Sequence, residues 1–223
     1  MGSLKGDALE LASCVSYFRN HVRRKIVFMG HSTGCQDIME YLVGGLEYPA
    51  IDGAILQAPV SDREALVSEF STSDIESSVS VAQEMIATNK GEDIMPRTKI
   101  VDYFGAPVCA RRLLSLLSPD HNGEDDYFSS DLSDEQLSNS FGKFPPQTKL
   151  CILISGSDQY VPQSINKQSL ITRWITFIKS GTGQIDELHS GIITNATHGL
   201  KSDPEAVRLD LIDKVNGFLN GLR

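Results

Sequence analysis

The sequence predicts an α/β fold in a single domain, residues 1–223, with a mostly parallel sheet, helices on both faces and a helical cap inserted at about 61–147. Three observations predict it. Short apolar runs rich in strand formers recur at 26–29, 54–58 and 150–154 and around Ile192 and Ile193. These runs are continuous rather than alternating, as expected of strands covered on both faces. Stretches with helical apolar spacing separate them, and one separation is far too long for a simple connection.

The elements follow in order. Residues 7–22 carry Ala8, Leu11, Ala12, Val15, Phe18 and Val22 at helical spacing, with Asp7 as the expected N-cap. IVFM, 26–29, is the first strand, and a helix over 33–43 follows through Ile38, Tyr41 and Leu42 until Gly44-Gly45 stops it. AILQA gives the second strand, ending at Pro59. In the insert, Asp62–Phe70, Asp74–Asn89 and Ala106–Leu117 read as helices. The polar, acidic segment after them, including Glu124-Asp125-Asp126, reads as a solvated loop. LCILI is the third strand, Ile192 and Ile193 mark the fourth, and 204–219 is a last helix capped by Ser202 or Asp203.

The net charge of −9 argues against nucleic acid or an anionic membrane as the main partner. No apolar run approaches the ~20 residues of a membrane span. Cys14, Cys35, Cys109 and Cys151 form no CxxC pair and have no metal-ligand spacing, and no signal-peptide core is visible, so a reducing, cytoplasmic location is expected.

The chemistry concentrates at Gly30-His31-Ser32-Thr33-Gly34. G-x-S-x-G is common by chance, but here it follows a strand and opens a helix, the context a nucleophile elbow requires. Glycines relieve the crowding of that sharp turn. A serine hydroxyl needs a general base, and the base an orienting carboxylate, in the chain order Ser, acid, His. Asp158 follows the third strand and His198 the fourth. The competing histidine is His189, which precedes the fourth strand and therefore belongs at the wrong end of the sheet. The Thr33 N–H is placed as an oxyanion donor, and His31, Tyr160 and Val161 are substrate-binding candidates. No metal or other cofactor is needed.

With these residues in view, GHSTGCQD together with SDREA, DDYFSSDL and ISGSDQYVP resembles the DUF1749 family of plant and fungal α/β-hydrolase-fold proteins, from about residue 7 to the C-terminus. The resemblance implies a serine hydrolase, a carboxylic ester hydrolase on a small acyl substrate, with its triad falling on Ser32, Asp158 and His198. Family members include fungal enzymes that cleave siderophore esters, a substrate that no residue here indicates. The full fold has four strands before the nucleophile strand, whereas one helix precedes it here. The expectation is therefore an N-terminally truncated hydrolase fold, without the usual second oxyanion loop and with strand 26–29 as an exposed edge open to self-association. A second reading is a non-catalytic, hydrolase-like fragment that binds a ligand or partner.

Overall fold

A computed structural model describes residues 2–22 and 24–222. It contains a five-stranded, wholly parallel sheet. The strands are β1 (Val27–His31), β2 (Gly53–Gln57), β3 (Lys149–Ser155), β4 (Gln184–Ile185) and β5 (Gly191–Ile193). The helices are α1 (Leu4–His21), α2 (Gly34–Gly44), α3 (Asp62–Glu69), α4 (Thr72–Ala87), α5 (Lys99–Tyr103), α6 (Ala110–Leu117), α7 (Asp134–Asn139), α8 (Lys167–Ser180) and α9 (Glu205–Gly221).

β1 pairs with β2, and β2 with β3, in register Met29↔Ile55 and Ile55↔Cys151. β4 and β5 share the far side of β3: β4 pairs with its beginning and β5 with its end. The fourth strand expected from the sequence is thus the second half of an interrupted one. In the interruption, the Ile152 N–H donates to Ser190 Oγ at 3.0 Å, so a side chain completes the ladder. Among the described residues β1 is the sheet edge.

Strand side chains alternate between two cores. Ala54, Leu56, Leu150, Ile152 and Ile154 face α1, α2 and α8, where Met39, Leu42, Ile171 and Trp174 are buried. Ile55, Cys151, Leu153 and Ile193 face α9 through Phe218 and Leu222. Each such side chain removed from water contributes about 1.5–3 kcal/mol. A third core lies inside the insert, where Leu66, Val79, Ile100, Leu113 and Leu117 join α3, α4, α5 and α6. Helices α3–α6 therefore form a cap with its own interior, whereas the later part of the insert, through Phe128, Leu132, Leu137, Phe141 and Phe144, joins the first core. No helix among the described residues is long and apolar enough to cross a membrane.

Several local expectations are corrected. Ser3, rather than Asp7, caps α1: its side chain accepts from Gly6 N–H, and the helix begins one turn earlier. Neither Ser202 nor Asp203 caps α9. Pro204 occupies the N-cap without a side-chain bond, because Asp203 accepts instead from Thr197 N–H and Oγ1–H at 2.7 and 2.9 Å. α6 starts at Ala110 rather than Ala106, and the acidic stretch 124–126 is a loop, as expected, but only Glu124 in it is exposed to solvent. Asp125 is 3 % exposed and accepts from Arg112 Nη1 at 2.5 Å. Asp126 accepts from Arg63 and His121 at 3.2 and 2.7 Å, and so ties the acidic segment to the cap's first helix. α8 has no counterpart in the sequence reading.

Candidate active site

At the carboxyl end of β1 the chain turns through Ser32, whose φ of 55° lies in the left-handed region. A non-glycine residue there carries of order 1–3 kcal/mol of strain. Its surroundings enforce the turn. Ser32 N–H donates to Gln57 O at 3.2 Å, and its carbonyl accepts from Cys35 N–H at 2.8 Å. The Cys35 thiol, fully buried, reaches both Gly30 O and Gln57 O at 3.3 Å, and burial pushes its pKa far up, so it stays a neutral donor. Gly30 must be glycine, since a Cβ there would run into the Gly34 carbonyl and come within 2.9 Å of Cys35 N. Thr33 is the N-cap of α2, where the first N–H groups have no partner inside the helix. The site thus receives the positive end of that helix.

The acid and the histidine come from neighbouring loops held together by backbone bonds. Gly156 N–H donates to Ile193 O and Ser157 N–H to Ala196 O, at 2.9 and 2.8 Å. Asp158 Oδ2 lies 2.8 Å from His198 Nδ1, and both residues are buried. Tyr160 N–H donates to Asp158 Oδ1 at 3.0 Å, and His198 N–H to Gln159 Oε1 at 3.1 Å. With the carboxylate on Nδ1, the imidazole carries its proton there and presents Nε2 as an acceptor. The ring is flanked by Tyr160, edge-on at 4.8 Å, and by His31 at 4.7 Å. His31 Nδ1 in turn lies 2.5 Å from Gln57 Oε1.

These groups share a cavity of about 560 Å³ roofed by the cap. Ser32, Thr33, His31, Tyr160 and His198 line it, whereas Val161 is not part of the lining. Asp158 stands behind His198, out of the cavity wall. Val60, Ala65, Leu66, Phe104 and Leu116 give the cap side an apolar wall. No hydrogen bond joins Ser32 to His198 among the described residues; the two stand on the same wall.

The sequence reading passed over two charged groups of this cavity, Asp62 and Arg112. Asp62 follows β2 and accepts from Gln36 Nε2 at 2.7 Å. Burial, with the nearby Asp125 charge, pushes its carboxyl up to about 7, against the pull of Arg112 and His198. The signal was available: ligands of open parallel sheets bind at the carboxyl ends of the strands, and Asp62 comes just after such an end.

A strained serine between a strand and a helix, a buried Asp–His pair beyond the next strands and a capped cavity together define the α/β-hydrolase class. Within that class, this chain belongs to the family described as protein of unknown function (DUF1749), which it matches over residues 1–220. It is 37% identical to the fusarinine C esterase sidJ of Aspergillus fumigatus over 270 positions, spanning all of this chain and 76% of the relative. It is 34% identical to esterase AN6793 of Emericella nidulans, spanning 96% of this chain and 72% of that protein. Among solved structures, the siderophore hydrolase EstB from Aspergillus fumigatus superposes with a TM-score of 0.81 at 38% identity, covering 99% of this chain and 76% of that one. A thermostable carboxyl esterase from Bacillus coagulans, at 12% identity, 98% and 72% coverage and a TM-score of 0.55, shares the fold.

Proposed function

We propose that the protein is a serine hydrolase acting on carboxylic esters. The reading rests above all on the 2.8 Å Asp158–His198 contact beside a serine held at positive φ on the same cavity wall. The esterase names of its fungal relatives agree with it. Ser32 Oγ attacks the ester carbonyl while His198 Nε2 takes its proton, and Asp158 holds and stabilises the imidazolium. The tetrahedral oxyanion is met by Thr33 N–H at the head of α2. Collapse expels the alcohol, protonated by His198, and leaves an acyl-Ser32. Water, deprotonated by His198, then attacks that acyl group; the acid departs and Ser32 regains its proton. No step calls for a metal or an organic cofactor.

A second reading, a ligand-binding hydrolase fold without turnover, is favoured by one observation: among the described residues β1, which carries the nucleophile, is the sheet edge. A fluorophosphonate probe separates the two. The esterase reading expects one covalent adduct per chain by intact mass, lost in Ser32→Ala and in His198→Ala. Folded protein that takes up no probe excludes it and leaves the binding reading.

A further inference from the structure

We infer that the cavity is built to take an ester substrate carrying a protonated amine, with the Asp62 carboxylate as the receptor for that cation. The inference rests on the hydrolase reading above and names the substrate class of that site. The cavity wall offers two charged side chains of opposite sign, Asp62 and Arg112, beside the histidines. Arg112 is already occupied: Nη1 donates to Asp125 Oδ1 at 2.5 Å and to Ser115 Oγ at 3.1 Å. Asp62 has only a neutral partner, the Gln36 amide, and makes no ion pair among the described residues.

That amide is itself fixed. Gln36 is fully buried on α2, one turn beyond Ser32, and its Nε2 also reaches Val60 O at 3.3 Å. The same helix that presents the nucleophile therefore orients the carboxylate. Asp62 also stands in the first turn of α3, where an acid suits the helix dipole, but that role asks for no clamp from another helix and no place in the cavity wall.

The surrounding charges are paired elsewhere. Asp125 and Asp126 face Asp62 from the acidic segment, Arg112 from α6 and His198 from the loop after β5. Asp125 is paired with Arg112, and Asp126 with Arg63 and His121, so Asp62 is the charge in this part of the cavity that has no ionic partner among the described residues. An ammonium group gains a charge-assisted hydrogen bond there, and a carboxylate is repelled. Burial holds the Asp62 carboxyl near 7, so the preference belongs to neutral and alkaline solution and weakens as the group takes up a proton below that.

The test uses matched p-nitrophenyl esters of four- to six-carbon acids ending in ammonium, methyl or carboxylate. Their kcat/KM values are compared for the full chain and for Asp62→Asn at pH 8 and pH 5.5. The expected result at pH 8 is a preference for ammonium over methyl of about tenfold or more. Asp62→Asn brings the ratio to within about twofold, and pH 5.5 lowers the ratio in the unaltered chain. An unchanged ratio in Asp62→Asn, or an equal loss on all three esters, overturns the inference. Should Asp62→Asn fail to fold, butylammonium is titrated as a competitive inhibitor of the unaltered chain. Its Ki should rise as pH falls from 8 to 5.5 while that of butanol stays level; parallel behaviour of the two overturns the inference. Normal reaction of Ser32 with a fluorophosphonate but no ammonium preference defeats this inference alone. No reaction with the fluorophosphonate defeats the esterase reading and this inference with it.

Discussion

Two aspartate–histidine pairs flank the same strand, β3, one beyond its carboxyl end and the other beside its first half. At the carboxyl end, Asp158 and His198 meet at 2.8 Å, the acid pairs with no other cation among the described residues, and the ring opens on the cavity. In the interruption between β4 and β5, Asp186 and His189 meet at 3.0 Å, but Asp186 also accepts from Lys149 Nζ at 3.0 Å. The His189 ring packs under α9, where a Cβ on Gly217 would collide with it. The first pair carries one proton between two groups with an open acceptor nitrogen. The second is a neutralised clasp joining the start of β3 to the segment before β5.

The largest expected effect falls on the first pair. Asp158→Asn should lower kcat on a p-nitrophenyl ester by about 10⁴-fold, since the amide would no longer hold the reactive tautomer. Its circular dichroism should match that of the unaltered protein. A loss under tenfold would remove Asp158 from the catalytic arrangement.

The clasp should answer in stability instead. Burial raises the Asp186 pKa, but the Lys149 ammonium and the His189 ring and N–H outweigh it and hold the carboxyl below the usual range. A depressed pKa gives stability above the unfolded value near 4 that is lost as pH falls through the folded one. Asp186→Asn should therefore lower urea stability by about 1–3 kcal/mol at pH 7, with the deficit shrinking below pH 4. An equal deficit at both pH values would show that packing, not charge, is at work.

The smallest expected effect sharpens the contrast most. His189→Ala should leave kcat/KM within about twofold of the unaltered chain, far from the loss expected of His198→Ala. A collapse of turnover in His189→Ala, with the fold intact, would reverse the assignment of the two pairs.

Much of this arrangement was legible in the sequence, because the elbow and the loops after β3 and β5 are local features whose position depends only on strand polarity. Parallel pairing then carries Ser32, Asp158 and His198 to one edge without further information. What could not be read locally were long-range pairings. Asp125 and Asp126 look like surface acids until Arg112, Arg63 and His121 are brought against them. Asp62 reads as an ordinary helix start until Gln36, from another helix, turns it into the cavity wall. The division of the last strand into β4 and β5 is likewise invisible, since the bond from Ile152 to Ser190 exists only in the assembled sheet.

The separation of these site residues along the chain has a consequence in time. His198 leaves the ribosome roughly 10–30 s after Ser32 at ordinary elongation rates. Throughout that interval Ser32 stands without the Asp158–His198 pair, under a cap that has its own interior. The cavity wall that Ser32 shares with His198 is thus complete only when β5 docks on β3.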